Sequence, residues 1–376
     1  MRLLHNQYYS PSLREKAGEL QALRRLDADS KDRLLPHLVA LPLTARENQG
    51  LTIETAIKRE VGKVQNSWQQ RTCLWDPRYL VFNRHDAADD SRWLEQLLEG
   101  FSSYDAKIIP VIGLREKIHR ASSLAKYALT TNSGVAIRIG FDDLQDHDLL
   151  KSVLTTLRIP AEECIPVLDI TEADISDTKE FAKSLIGWLV NYRSIGNWPR
   201  IVLSGSSFPI KNPAPPKSAT MVSRLEWQLW RSANEMDQSL RDFLFFGDFG
   251  ADNSHFVFES GGRPIPHLRY ATESEWLVVR GDGSDPLLRG VSKRIFDSRH
   301  FRGATFSAGD EFIALWARGS ASTADPSVWR MANMNHHITT VVRAMAEMYG
   351  LKLPLRREVP LQPDLFENQE TTERAL

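Results

Sequence analysis

Short apolar runs alternate with stretches of helical spacing over the first two thirds of the chain. Runs at 8–13, 34–43, 72–82, 108–114, 135–139, 164–170, 200–203 and 243–246 read as strands. Several, such as IIPVIGL and CIPVLDI, are continuously apolar rather than alternating, as expected of parallel strands buried on both faces. Between them, the segments 15–26, 52–68, 91–101, 116–129, 146–157, 179–192 and 220–230 read as helices; in the first, Leu20, Leu23 and Leu26 recur at helical spacing. Eight strand–helix units in roughly 250 residues match the size of a (β/α)8 barrel. An open doubly wound sheet would alternate in the same way, but no GxGxxG follows the first strand. The pattern therefore predicts an α/β fold of the TIM-barrel type.

Beyond the eighth strand the pattern changes. Residues 267–280 (HLRYATESEWLVVR) predict an added strand or hairpin, and 287–296 a helix. A longer helix is expected over 328–349, with Met331, Met334, Ile338, Val341, Val342, Met345 and Met348 on one face; that stripe reads as core. The resulting division is a barrel over 1–260, a β/α elaboration packed on it over 261–350, and an extended, flexible tail over 351–376. Pro354, Pro360 and Pro363 keep helix out of the tail.

Several segments carry a resemblance in their order along the chain. They are Tyr9-Ser10-Pro11-Ser12-Leu13-Arg14-Glu15-Lys16-Ala17-Gly18-Glu19, Lys31-Asp32-Arg33-Leu34-Leu35-Pro36, Ser204-Gly205-Ser206-Ser207-Phe208-Pro209 and Phe246-Gly247-Asp248-Phe249-Gly250. Arg269-Tyr270 with Trp276 to Gly281, and Trp329-Arg330 with Asn335-His336-His337, complete the set. In this order they resemble the phage beta-protein family from about residue 8 to about residue 345. The resemblance implies an accessory protein of phage and bacteria, associated with mobile elements or defence, and supplies no reaction. The family pattern has an acidic residue late in the second strand, where this chain has Leu38-Val39-Ala40-Leu41; a role for that acid is lost here.

Composition narrows the choice. A formal net charge of −1 excludes a polycation built to coat nucleic acid. The two cysteines, Cys73 and Cys164, sit in apolar strand-like runs and suggest buried thiols in a reduced, cytoplasmic setting. No apolar run is long enough to predict a membrane span. The candidate chemistry lies at the C-terminal ends of the barrel strands, where barrels carry their sites: Arg14, Asp76, Arg115, Arg138, Asp169, Ser204, Ser206, Ser207 and Asp248. Arginine forks and a Ser/Gly loop suit a phosphate-containing ligand or DNA, with Arg14, Ser204, Ser206 and Ser207 as binding residues. Asp76, Arg138, Asp169 and Asp248 are the candidate catalytic set, with a divalent metal as the cofactor that carboxylates would hold for phosphodiester hydrolysis. The competing expectation is that these charges neutralise one another, Arg138 against Asp169 or Asp248. Neighbouring His336 and His337 point about 100° apart on a helix and do not suit one metal; packing is the simpler role.

In the tail, Gln362-Pro363-Asp364-Leu365-Phe366 fits Q-x-x-L-F, which resembles the docking motif for the bacterial sliding clamp. Gln362 would hydrogen-bond at one subsite while Leu365 and Phe366 fill an apolar pocket. Such a peptide reaches roughly micromolar affinity, about −8 kcal/mol. The alternative is that the pair folds back onto its own domain. The sequence thus predicts a recruited accessory protein, with a phosphodiesterase or nuclease-like barrel enzyme as the second reading.

Overall fold

The computed structural model describes residues 6–42, 51–80, 87–255, 265–284, 288–320 and 325–356, with only the backbone described for 87–89. The apolar runs form strands β1 (Tyr9–Arg14), β2 (His37–Val39), β3 (Cys73–Asp76), β4 (Ile108–Gly113), β5 (Val135–Gly140), β6 (Cys164–Asp169), β7 (Ile201–Gly205) and β9 (Leu244–Asp248). They close into an eight-stranded parallel barrel in the order β1-β2-β3-β4-β5-β6-β7-β9. The seam is the parallel pairing of β1 with β9, Tyr9 opposite Phe246. The TIM-type expectation therefore holds.

Because side chains alternate across a strand, each strand sends every second residue inward. Leu35, Leu74, Ile109, Val111, Ala136, Ile165, Val167, Val202 and Phe245 fill the lumen as one buried cluster. Two residues further along the same strands the inward positions turn polar: His37, Asp76, Arg138, Asp169 and Ser204, with glycine at 113 and 247. Ser12 joins this layer through its register with His37. The lumen is thus an apolar plug with a charged layer on its C-terminal side. The outward residues, among them Tyr9, Leu13, Trp75 and Phe246, pack under the helices in the main core.

Three of the barrel helices start at a capping side chain. α3 (Ile53–Trp68), α6 (His147–Leu157) and α7 (Thr178–Ile195) begin at Thr52, Asp146 and Asp177, whose side chains accept backbone N–H groups of the first turn. α1 (Ala17–Arg24), α4 (Ala87–Ser103) and α5 (Ile118–Thr131) lie in the expected places, and a short α2 (Ala28–Lys31) precedes β2.

The expected helix over 220–230 is half strand. β8 (Ala219–Ser223) pairs antiparallel with β11 (Glu275–Arg280), which pairs with β10 (His267–Ala271). Its burial alternates with period two and it carries β-branched Thr220 and Val222; α8 (Leu225–Met236) begins only after Arg224. The three-stranded sheet thus draws β8 from inside the barrel's chain segment and β10–β11 from beyond it. The elaboration also has α9 (Arg289–Phe296), α10 (Ala308–Arg318) and α11 (Pro326–Met348). Helix α10 was not expected, although Ser307-x-x-Asp310 forms its cap, with Ser307 accepting from the Asp310 N–H. On α11, Asp325 caps and Pro326 opens the first turn; Met331, Met334, Ile338, Val341, Val342 and Met345 are buried, as expected of a core stripe. Its backbone approaches α1 and α10 so closely that a Cβ at Gly18 or Gly309 would lie 2.3 Å from the carbonyl oxygen of Ser327 or Ala332. No helix among the described residues is long and apolar enough to cross a membrane. Gln362, Leu365 and Phe366 lie outside the described residues.

Candidate functional site

The charged layer of the lumen is one connected network. His37 Nε2 lies 3.1 Å from Asp76 Oδ2, and His37 Nδ1 lies 3.2 Å from Ser12 Oγ. A carboxylate only accepts, so His37 donates from Nε2 and accepts a hydrogen bond from the Ser12 hydroxyl at Nδ1. Burial holds the imidazole below its ordinary range, so it is neutral. Asp76 also accepts from Arg78 Nε at 2.8 Å and from Arg138 Nε at 3.1 Å. Burial by itself pushes the Asp76 carboxyl up, but Arg78, Arg138 and His37 overcome it and hold it well below the carboxylate range. Arg78 reaches on toward Asp169, 3.7 Å away, and Asp169 Oδ1 accepts from the Thr171 hydroxyl at 2.7 Å. Arg138 is therefore neutralised chiefly by Asp76 of β3, with Asp169 as a second carboxylate in reach and without Asp248. Gly113 makes room for it: a Cβ there would sit 3.3 Å from Arg138 Nη2.

Asp248 takes no part in the mouth. It follows Gly247 on β9 and so faces outward, where its Oδ1 accepts from the Tyr9 hydroxyl at 2.6 Å and the Gly250 N–H at 2.9 Å. Its Oδ2 accepts from His337 Nε2 at 2.7 Å. The Trp276 indole, which can only donate, lies 3.3 Å from His337 Nδ1. That fixes a neutral His337 against an ionised Asp248, and burial holds the imidazole below its ordinary range. His336 is likewise a packing residue, bonded to Asp310 and to the Ala271 carbonyl at 2.8 Å each. Beside this network Arg224 is fully buried with Nε and Nη2 unpartnered among the described residues. Burial pushes the Glu226 carboxyl up to about 7; its Oε2 takes the Ser207 N–H at 3.0 Å and the Ser207 hydroxyl. Ser207 also caps α8 by accepting from the Leu225 N–H at 3.0 Å, so its hydroxyl is committed to structure.

Arg14, at the end of β1, points to the loop after β9. Its Nη1 lies 3.0 Å from Asp252 Oδ2. Arg269 and Arg330 bind the same carboxylate, at 2.6 Å and 2.5 Å. Burial opposes ionisation of Asp252, and the three guanidiniums reverse that, holding it well below the ordinary range. Ser206 donates to the Asp252 carbonyl at 3.4 Å. Ser204 lies in the lumen wall and Arg115 is exposed, gripping Asp143 with Nε and Nη2. The structure thus brings Asp76, Arg138 and Asp169 together, gathers Arg14 and Ser206 at the rim, and sets Asp248 and Ser207 behind the wall. His37, Arg78, Asp252, Arg269 and Arg330 were missed. Arg269 and Arg330 lie inside the segments that carry the family resemblance, and His37 and Arg78 lie within the apolar runs 34–43 and 72–82 as their polar interruptions. Among the described residues no group of three or more His, Cys, Asp or Glu is placed to hold a metal ion.

A parallel eight-stranded barrel with a charged C-terminal mouth, carrying a helical and three-stranded elaboration on its β1–β9 side, is the class that this fold and site define. The chain belongs to the Beta protein family, whose model matches residues 9–343. No curated protein matches it. Among solved structures, 2,3-dimethylmalate lyase, of the PEP mutase/isocitrate lyase superfamily, aligns at 12% identity over 65% of this chain and 76% of its own, with a TM-score of 0.34. The arginine decarboxylase of Paramecium bursaria Chlorella virus, bound to agmatine, aligns at 10% identity over 65% of each chain, with a TM-score of 0.29. Values this low carry no functional argument, and the barrel is read from its own strand pairing.

Proposed function

We propose that the protein is an accessory, ligand-binding barrel that takes a phosphate-containing compound at its mouth, and that its C-terminal tail brings it to the replication sliding clamp. The observation supporting the first half is the state of Arg138. Its Nε is held by Asp76, while Nη1 and Nη2 make no hydrogen bond among the described residues and the side chain stays 21% exposed. The neighbouring carboxylates keep it a cation. A guanidinium fixed on one edge and open on the other matches two oxygens of a phosphate. Binding is favoured over turnover because Asp76, tied to three partners and held well below the carboxylate range, is a weak base at neutral pH. Calorimetric titration with nucleotides and short DNA tests the reading. Arg138→Gln is expected to weaken binding about tenfold or more; equal affinity in the two proteins removes the mouth as the site.

The recruitment half rests on the Q-x-x-L-F pattern at Gln362, Leu365 and Phe366. Gel filtration with purified clamp is the test, and an elution profile shared with a Leu365→Ala, Phe366→Ala variant counts against it. One observation favours a hydrolytic second reading, the Ser12–His37–Asp76 line at the mouth. Loss of phosphodiester turnover in Ser12→Ala with ligand binding intact is what that reading requires.

A further inference from the structure

Between α11 and β10, outside the barrel mouth, lies a cavity of about 150 Å³ lined by Ala251, His267, Arg269, Trp329, Arg330 and Asn333, with Pro326 and Met334 completing its walls. Its size is about five times the ~30 Å³ of one liquid water and about half of the ~300 Å³ at which drug-sized sites begin. A single tetrahedral group fits such a space.

The chemistry of the walls is that of an anion site. Two guanidiniums, those of Arg269 and Arg330, line it, and both also bind Asp252. Arg269 Nε is buried with no hydrogen-bond partner among the described residues. Asn333 Oδ1 accepts from the Arg269 N–H at 3.0 Å, which assigns the amide and turns its Nδ2 into a further donor. His267 adds the opposite polarity. Its Nδ1 lies 3.0 Å from the Ile265 carbonyl, so Nδ1 donates and Nε2 is left as an acceptor.

We propose that this cavity binds one small oxyanion of the phosphate class that still carries a hydrogen, hydrogen phosphate, with Arg269, Arg330 and Asn333 donating to its oxygens and His267 Nε2 accepting its remaining proton. An acceptor among donors selects an anion that still carries a hydrogen. Hydrogen phosphate has one; sulfate at neutral pH has none.

Calorimetry on the full chain, with inorganic phosphate, phosphoserine and sulfate as probes, tests this. With the mouth disabled by Arg138→Gln, inorganic phosphate is expected to bind one per chain and at least about tenfold more tightly than sulfate. Arg330→Gln should weaken phosphate about tenfold or more, and His267→Phe should narrow the phosphate–sulfate ratio toward unity. Arg138→Gln should leave both intact, which separates this site from the barrel mouth. Phosphoserine, whose phosphoryl group is mostly without a hydrogen at neutral pH, should bind more weakly than free phosphate; tighter phosphoserine than phosphate overturns the proposal. The proposal is overturned by absence of heat up to about 10 mM phosphate, by sulfate binding as tightly as phosphate, or by unchanged affinity in both Arg330→Gln and His267→Phe with circular dichroism matching the wild type.

Discussion

Replacing Glu226 by glutamine should stabilise the protein at high pH and leave it unchanged at low pH. Glu226 is 1% exposed, Oε1 has no partner among the described residues, and burial raises its carboxyl from an ordinary 4.5 to about 7. A raised acid binds more protons in the folded chain than in the unfolded one. The fold therefore holds its full stability below about 4.5 and loses it as pH rises toward 7. A shift of this size corresponds to at most about 3.5 kcal/mol, at ~1.4 kcal/mol per pKa unit. Glutamine is neutral throughout and its Oε1 still accepts from the Ser207 N–H and hydroxyl, the contacts that Glu226 makes now. The loss of a favourable field at Arg224 trims the gain, so a net of about 1–3 kcal/mol is expected above pH 7. Urea unfolding of both proteins from pH 4.5 to 8.5 measures it. The difference should be near zero at the acid end, grow up to about pH 7 and then level off. A pH-independent difference, or a Glu226→Gln protein less stable at pH 8, refutes the reasoning.

In the Glu226→Gln background, stability should fall as pH drops below about 6.5. His37 and His337 are buried and neutral when folded, with both imidazoles pushed down by burial, so the unfolded chain takes up the extra protons; denaturation midpoints across pH 8 to 4 check it. Asp248→Asn should cost about 1–3 kcal/mol in urea unfolding by weakening the hold on Tyr9 and His337, yet leave ligand affinity at the mouth unchanged, because the residue faces away from the lumen. Gly309→Ala should destabilise by about 1–3 kcal/mol or more, since its Cβ would lie 2.3 Å from the Ala332 carbonyl oxygen. Cys73 and Cys164 are buried with thiols pushed far up by burial and should resist a thiol-specific reagent at pH 8 in the native chain, both reacting once urea unfolds it.

The barrel was legible because burial on both faces writes itself as unbroken apolar runs, and eight of them at even spacing leave few folds. The mouth was half legible. Asp76, Arg138 and Asp169 stand at strand ends and were found there; His37 did not, because the short β2 hides one polar residue within LLPHLVALPL. Asp248 misled for a specific reason: in FFGD the strand end is polar on its outward face, and Gly247 occupies the inward position. Which face a terminal residue takes depends on the parity of the strand, fixed by register with Ser10 and Pro11. Asp252 and its three arginines come from four separate segments, and no spacing rule joins residues 14, 252, 269 and 330. The strand β8 was lost to a window that mixed ATMVS with the helix behind it.

The elaboration bears on the barrel as more than a cover. One helix, α11, reaches two faces of it: Arg330 in its second turn binds Asp252 at the rim, and His337, two turns on, binds Asp248 behind β9. Asp252 in turn holds Arg14 of β1. Strands β1 and β9 form the seam where the barrel closes, so one rigid helix ties both sides of that seam to a cavity that it also lines. In the proposed anion complex, an oxyanion drawing on Arg330 and Arg269 would compete with Asp252 for the same guanidiniums, and Asp252 shares Arg14 with β1. Any effect of that anion on the seam is then reciprocal by linkage: what loosens the seam changes the anion's affinity by the same factor.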